Sequence, residues 1–341
     1  MQYLKNYLNK IISRGNEKLA ESISKTAEDI GKDYISTFSF TSHEIGLLFG
    51  NVQSGKTGQM FGILSKAADL GFPVFLILTT DNVALQQQTI ERVNSDLEGF
   101  CICGEDDMGK FVENSLLDPA IIILKKNNRI LRKWANTLNT TGFMKGNPLF
   151  IIDDEADAAS LNTFINRRGN QQSSINKYLD SIKNGATSSL YLQVTGTPQA
   201  ILLQTLASGW HPYFTYYFQP GSSYLGGDFF FPSSQKPDCI TFLETVKEDT
   251  KEAVLRHIAV SAQVLASGGR VCNALIHPSV RQSAHSTYAK EVKKVLEWCK
   301  ANNAEFKAEI ARHVSNLSPQ KSDKQPDDVL ISKAESLVAN D

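Results

Sequence analysis

The segment Gly50-Asn51-Val52-Gln53-Ser54-Gly55-Lys56-Thr57 follows the spacing G-x-x-x-x-G-K-[ST], the pattern of a loop that wraps phosphates. Each residue type meets a chemical need. Glycines let the backbone curl so that successive N–H groups point at anionic oxygens. The ammonium of Lys56 adds a point charge for the β- and γ-phosphates, and the hydroxyl of Thr57 suits Mg²⁺. A helix beginning here contributes its positive dipole end. Gly50, Gln53, Ser54, Gly55, Lys56 and Thr57 are the candidate nucleotide contacts.

A second group lies about a hundred residues on. Leu149-Phe150-Ile151-Ile152 is an apolar run, and Asp153-Asp154-Glu155-Ala156-Asp157 follows it. Acids at the end of a buried strand can serve a metal and an attacking water. Asp154 is assigned to Mg²⁺, directly or through water, beside Thr57. Glu155 is assigned to polarising the water as general base. Lys56, Asp154 and Glu155 form the catalytic set, and Asp153 is an extra acid without an assigned role. A third group, Val194-Thr195-Gly196-Thr197-Pro198, again ends an apolar run. Its hydroxyls can bond the carboxylates of Asp154 and Asp157, making Asp157, Thr195 and Thr197 coupling residues. On its own this segment reads as a strand-to-turn junction.

These groups need elements to position them. Ile45–Phe49 delivers the loop at Gly50, and Thr57–Leu70 has helical spacing closed by Gly71. Val74–Leu78, Ala120–Leu124, Leu149–Ile152 and Leu190–Val194 are further short apolar runs. Val83–Leu97, Arg129–Leu138 and Ser174–Lys183 read as helices between them. Strands alternating with helices predict an α/β fold with a mostly parallel sheet covered on both faces. Before it, residues 1–37 form an N-terminal helical segment, with Leu4, Leu8, Ile11, Leu19, Ile23 and Ile30 at helical spacing and a break near Gly15-Asn16. Residues 38–237 are the α/β domain, and its aromatic stretch 207–237 reads as an irregular packed insertion. Residues 238–268 supply a connecting helix, Glu244–Leu265. In 269–341, a strand at Val271–Ile276 and a helix at Ala284–Cys299 predict the start of a second α/β domain. The polar segment 315–328 and a polar tail follow.

Composition excludes several classes. The 341 residues carry 35 Lys and Arg against 36 Asp and Glu, for a net charge of −1. Bulk charge therefore draws the chain neither to nucleic acid nor to an anionic membrane. The five cysteines are scattered without metal-ligand spacing, as for reduced thiols in a cytoplasmic protein. No apolar stretch is long enough for a membrane-spanning helix.

Taken in order, the three groups resemble motifs I, II and III of superfamily 2 helicases and translocases. The chain is more closely similar to the Z-one domain family of helicase-like candidate endonucleases. The shared phrases include Val52-Gln53-Ser54-Gly55-Lys56-Thr57, Gln88-Thr89-x-x-Arg92 and Ile152-Asp153-Asp154-Glu155-Ala156-Asp157. Ala159-Ser160-x-Asn162-Thr163, Thr197-Pro198-Gln199-Ala200, Tyr224-x-Gly226-Gly227 and Leu275-Ile276-His277-x-Ser279 complete them. The resemblance spans roughly residues 44 to 285. It implies a RecA-like P-loop NTPase domain followed by a partial second RecA-like domain, with ATP and Mg²⁺ as cofactors. It also implies ATP hydrolysis coupled to action on DNA in bacterial restriction or anti-phage defence, alongside a nuclease or another defence-system subunit. Carried over, Asp81 and Gln86–Gln88 fall near motif Ia. Gln88, Lys125 and Lys126 become the candidate nucleic-acid contacts, and the aromatic stretch offers either base stacking or plain packing.

Two departures matter. No Q-x-x-G-R-x-x-R pattern follows Arg281, and Arg312 is the one later arginine. An arginine finger is worth about 10³–10⁵ in rate, so the chain alone is expected to bind ATP and hydrolyse it slowly. A nuclease site has no visible residues: Asp238, Glu244 and Lys247 lack D…E-x-K spacing, and the six histidines lack metal-ligand spacing. The competing reading is a nucleotide-gated interaction module that docks a partner and moves no DNA.

Overall fold

Apolar runs rich in Ile, Leu, Val and Phe become the strands of one sheet in the computed structural model. It describes residues 2–142, 144–160, 173–203, 209–222, 224–231, 246–277, 282–319 and 323–339. The strands are β1 (His43–Phe49), β2 (Val74–Thr79), β3 (Cys101–Cys103), β4 (Ala120–Lys125), β5 (Pro148–Asp154), β6 (Ser188–Thr195) and β7 (Phe214–Tyr217). They align in the order β3-β4-β2-β5-β6-β1-β7, and every pairing is parallel. Strands β2 and β6 are buried along their whole length, because helices cover both faces. That is why they read as continuous apolar runs and not as alternating ones.

One face is covered by α1 (Tyr3–Ser13), α2 (Glu17–Ile30), α3 (Lys56–Asp69) and α4 (Val83–Asp96). Ile23 and Ile30 of α2 and Phe61 and Ile63 of α3 share a core with Phe75 and Phe150 of the sheet. The other face carries α5 (Met108–Asn114), α6 (Asn128–Thr140) and α8 (Ser174–Gly185). Leu131, Trp134, Ala135 and Leu138 fall at i, i+3, i+4 and i+7 on α6, so one stripe meets Leu76, Ile122 and Ile151. Asn82 and Asn127 cap α4 and α6 with their side-chain oxygens. The short helices α7 (Ala156–Ala159), α9 (Gln199–Leu202) and α10 (Gly227–Phe230) complete this part. Parallel strands put all carboxyl ends on one edge, where open α/β sheets bind their ligands.

The chain divides into two compact units, residues 1–236 and 237–341. The second contains α11 (Val246–Ala266), α12 (Gln282–Ala301), α13 (Asn303–Ser315) and α14 (Asp327–Ala339). Leu255, Ala259, Phe306, Ile310, Leu330 and Ala334 form its own core.

Three sequence-based expectations are corrected. Val271–Ile276 is not a strand, and the described regular elements of residues 237–341 are all helices. An extended run becomes a strand only beside a partner that takes its backbone hydrogen bonds. Here Val271 is 66% exposed and Leu275 90% exposed. The expected polar tail contains α14, which buries Leu330, Ala334 and Val338. The aromatic stretch contributes an edge strand, β7, paired with β1. Its Phe214 ring fills the space that a side chain at Gly46 would occupy.

Candidate nucleotide site

The phosphate-loop segment leaves β1 at Gly50, whose N–H donates to the Thr195 carbonyl at 3.4 Å. Two residues of the loop take left-handed conformations, Gln53 at φ +57° and Gly55 at φ +93°. Such turns point consecutive N–H groups to one side. Helix α3 starts at Lys56, with Gly55 as an N-cap that supplies no side-chain acceptor. Its first N–H groups are thus left for an anion. The Ser54 hydroxyl donates to the Asn51 carbonyl inside the loop. Lys56 Nζ reaches the same carbonyl at 3.2 Å. Thr57 is half-buried on the first turn.

Two glycines lie close against neighbouring side chains here. A Cβ at Gly196 would stand 3.0 Å from Lys56 Nζ, and one at Gly50 would run into the Phe218 ring. The ammonium therefore lies between the loop and the turn after β6. Two tyrosines from the β7 region also hold the loop. Tyr217 Oη donates to Asn51 Oδ1 at 3.2 Å, and Tyr224 Oη donates to the Val52 carbonyl at 2.7 Å. In sequence Tyr217 reads only as a packing or stacking aromatic, and Tyr224 also opens the shared phrase Tyr224-x-Gly226-Gly227, with no loop-holding role assigned to either.

The acidic turn is built from below. Asp153 is fully buried. It accepts from Lys126 Nζ at 3.0 Å and from Tyr191 Oη at 2.7 Å. Burial and the neighbouring Asp153 charge push the Tyr191 hydroxyl well above its usual range. Lys126 Nζ also donates to the carbonyls of Asp154 at 2.7 Å and Glu155 at 2.9 Å. Glu155 sits at φ +50°, ψ +51°, a left-handed conformation costly for a residue with a side chain. It persists because Lys126 and the start of α7 over-determine the turn. Asp154 is pushed up to about 6, by burial first and then by the Glu155 charge, against the pull of Lys126. A carboxylate so disfavoured gains from a cation placed beside it.

Asp157 is clamped. Thr195 Oγ1 donates to its Oδ1 and Thr197 Oγ1 to its Oδ2, each at 2.6 Å. Burial raises the Asp157 carboxyl, but the two threonine hydrogen bonds, together with its own backbone N–H and the Lys126 charge, outweigh burial and hold it below the usual range. The threonines engage Asp157, while the Asp154 carboxylate accepts from the Glu155 N–H at 3.1 Å.

The candidate nucleic-acid residues separate into three environments. Lys126 is corrected: its side chain is wholly buried in the Asp153 pair and cannot reach a phosphate backbone. Lys125 is partly buried, with Nζ 3.8 Å from Glu105 and its N–H on the same carboxylate at 3.3 Å. Gln88 is exposed on α4. Asn162, Thr163, Ser279, Asp238 and Glu244 lie outside the described residues, as does Arg281. Arg312 pairs with Glu252 at 2.6 Å within the second unit.

These positions fit a magnesium nucleotide by their donor set: curled N–H groups, one ammonium, one hydroxyl and one cation-seeking carboxylate. Mg²⁺ takes one or two protein ligands together with phosphates and waters. Among the described residues, no three His, Cys, Asp or Glu side chains converge as an all-protein metal cage. No described helix is long and apolar enough to cross a membrane.

No family model matches the chain, and no curated protein matches it. Among solved structures, the chain is similar to the Hef helicase domain of Pyrococcus furiosus, with 12% identity and a TM-score of 0.38. That likeness covers 92% of this chain and 68% of the other. It is also similar to PCH-2 of C. elegans, at 12% identity and TM-score 0.28 over 94% and 70% of the two chains. A third likeness is the ORC2 protein of Aeropyrum pernix in its ADPNP–ADP complexes, at 10% identity and TM-score 0.30 over 92% and 93%. All three scores are low, and the functional reading rests on the geometry of the site.

Proposed function

We propose that residues 1–236 bind ATP with Mg²⁺ at the carboxyl edge of the sheet and hydrolyse it, as the motor-type domain of a helicase-like protein acting on DNA. One observation carries this reading. The phosphate-loop strand β1 and the acidic strand β5 flank β6 as parallel neighbours, so the loop, Asp154, Glu155 and the Thr195–Thr197 turn leave the sheet on the same edge. Gly50–Gly55 and Lys56 hold the phosphates, Thr57 and Asp154 hold the ion, and Glu155 takes a proton from the attacking water. Mg²⁺ supplies neutralisation of charge on the phosphate oxygens. The Thr195 and Thr197 clamp on Asp157 ties β6 to the acidic turn and makes this turn sensitive to movement of β6. The order of the three motifs supports a superfamily 2 and Z-one kinship, and with it a restriction or anti-phage setting.

A second reading has one observation in its favour. Lys126 is buried and Lys125 leans on Glu105, which removes or occupies two of the three candidate DNA contacts. On this reading the domain is a nucleotide-gated module that docks a nuclease or another subunit. Titration calorimetry tests the shared core: Lys56→Ala abolishes Mg·ATP binding, and an unchanged affinity overturns the site. ATPase stimulated by DNA favours the motor, while stimulation by a partner protein without DNA favours the module.

A further inference from the structure

A trans peptide is planar, so its C=O and N–H point to opposite sides. A loop that turns its N–H groups inward, towards an anion, must turn the carbonyls of the same peptides outward, where they need donors of their own. In the phosphate-loop segment one such peptide joins Val52 to Gln53. Its carbonyl accepts from Tyr224 Oη at 2.7 Å. Its N–H, that of Gln53, has no acceptor among the described residues. The next N–H, that of Ser54, is already taken by the Asn51 carbonyl at 3.2 Å.

This orientation is not the one the chain prefers by itself. It places Gln53 at φ +57°, where an L side chain is crowded. Turning the peptide over by half a rotation would return φ to the ordinary extended region and swing the Gln53 N–H to the outside of the loop. The Tyr224 hydrogen bond opposes that rotation, because the Val52 carbonyl would leave its donor. Close packing seats the tyrosine: its half-buried ring lies 2.5 Å from where a Cβ at Gly226 would be. Tyr217 steadies the preceding residue, donating to Asn51 Oδ1 at 3.2 Å.

We propose that Tyr224 is a positioning residue for phosphate binding: its hydroxyl holds the Val52–Gln53 peptide in the orientation that presents the Gln53 N–H to the nucleotide. The proposal rests on the reading that Gly50–Thr57 holds phosphates, and its test separates the two. Calorimetry on the full chain uses Mg·ATP and Mg·inorganic triphosphate. Tyr224→Phe removes the hydroxyl and keeps the ring. It weakens both ligands by one shared factor, about three- to tenfold, the scale of a single hydrogen bond. In turnover assays it raises KM and leaves kcat within about twofold, since the peptide is correctly turned once phosphates are bound. Glycine takes positive φ freely, so in a Gln53→Gly background Tyr224→Phe costs less than about twofold. A contact that only stiffened the loop would cost the same in both backgrounds. One measurement needs no variant: in the unmodified protein, the NMR coupling between the Gln53 amide proton and its Hα reports a left-handed φ. Unchanged affinity in Tyr224→Phe overturns the positioning role. Equal losses in the two backgrounds, or an extended φ at Gln53 in the unmodified protein, do the same. Each of these leaves the phosphate-loop reading standing. Failure of the unmodified protein to bind either ligand overturns that reading, and the role of Tyr224 with it.

Discussion

Lys126 holds the backbone carbonyl of Glu155 at 2.9 Å while its charge is matched by the buried carboxylate of Asp153. One side chain therefore fixes both the ionisation partner of the strand end and the left-handed turn that aims the proposed base. Removing one member of a buried ion pair costs about 3–5 kcal/mol, because the other charge stays buried. Lys126→Met is expected to lose that much in urea unfolding. Lys126→Met/Asp153→Asn recovers part of it, since the orphaned charge is gone. Equal losses in the single and double variants would remove the pair from the account.

Asp154 has an opposite energetic sign. A carboxyl raised to about 6 in the folded protein binds its proton more tightly there than when unfolded. Stability is then lost as pH rises from about 4 through 6. Asp154→Asn should therefore stabilise the nucleotide-free protein by about 1–3 kcal/mol at pH 7.5, partial solvent access keeping it within that range. The gain should fade as pH is lowered towards 4. Thermal unfolding at several pH values reads it directly, and a gain independent of pH would contradict the burial argument.

Glu155 is exposed and does not hold the ion on the proposed reading. Glu155→Gln keeps Mg·ATP affinity within a few-fold and lowers turnover by at least about a hundredfold, the span of general base catalysis. Parallel calorimetry and phosphate-release assays separate the two quantities. Retained turnover would return the water-activating role to another group.

Gly50 packs under Phe218 so closely that a methyl group has no room. Gly50→Ala should cost about 1–3 kcal/mol by overpacking. The variant Gly50→Ala/Phe218→Leu should lose less than the two single changes summed, because they share one volume. Strict additivity would mean the loop and the β7 segment are independent.

Which features could be read from sequence follows from how local their causes are. The central strands were legible because burial on both faces writes continuous apolar runs. The left-handed Gly55 was legible because loop curvature is a property of a few adjacent residues. β7 was not: its aromatics pair with β1 only because Gly46 lies opposite Phe214, a match across more than a hundred residues. Lys126 was misread for a similar reason. A lysine after an apolar strand is ordinarily exposed, and its burial depends on Asp153 and Tyr191 arriving from two other strands. Val271–Ile276 shows the reverse case, a strand-like composition without a sheet edge to join.

The packing of α1 and α2 on α3 has a consequence for how a fragment should be cut. Ile23 contacts the site of a Cβ at Gly62 and stands 3.0 Å from one at Gly58, so the lead-in helices and the phosphate-loop helix share one packed core. On the proposed reading, an occupied nucleotide site would tether the amino terminus. Saturating Mg·ATP should slow protease cleavage at the Gly15-Asn16 turn by mass action on the folded form. A fragment beginning at the first strand would leave the inner face of the phosphate-loop helix wet.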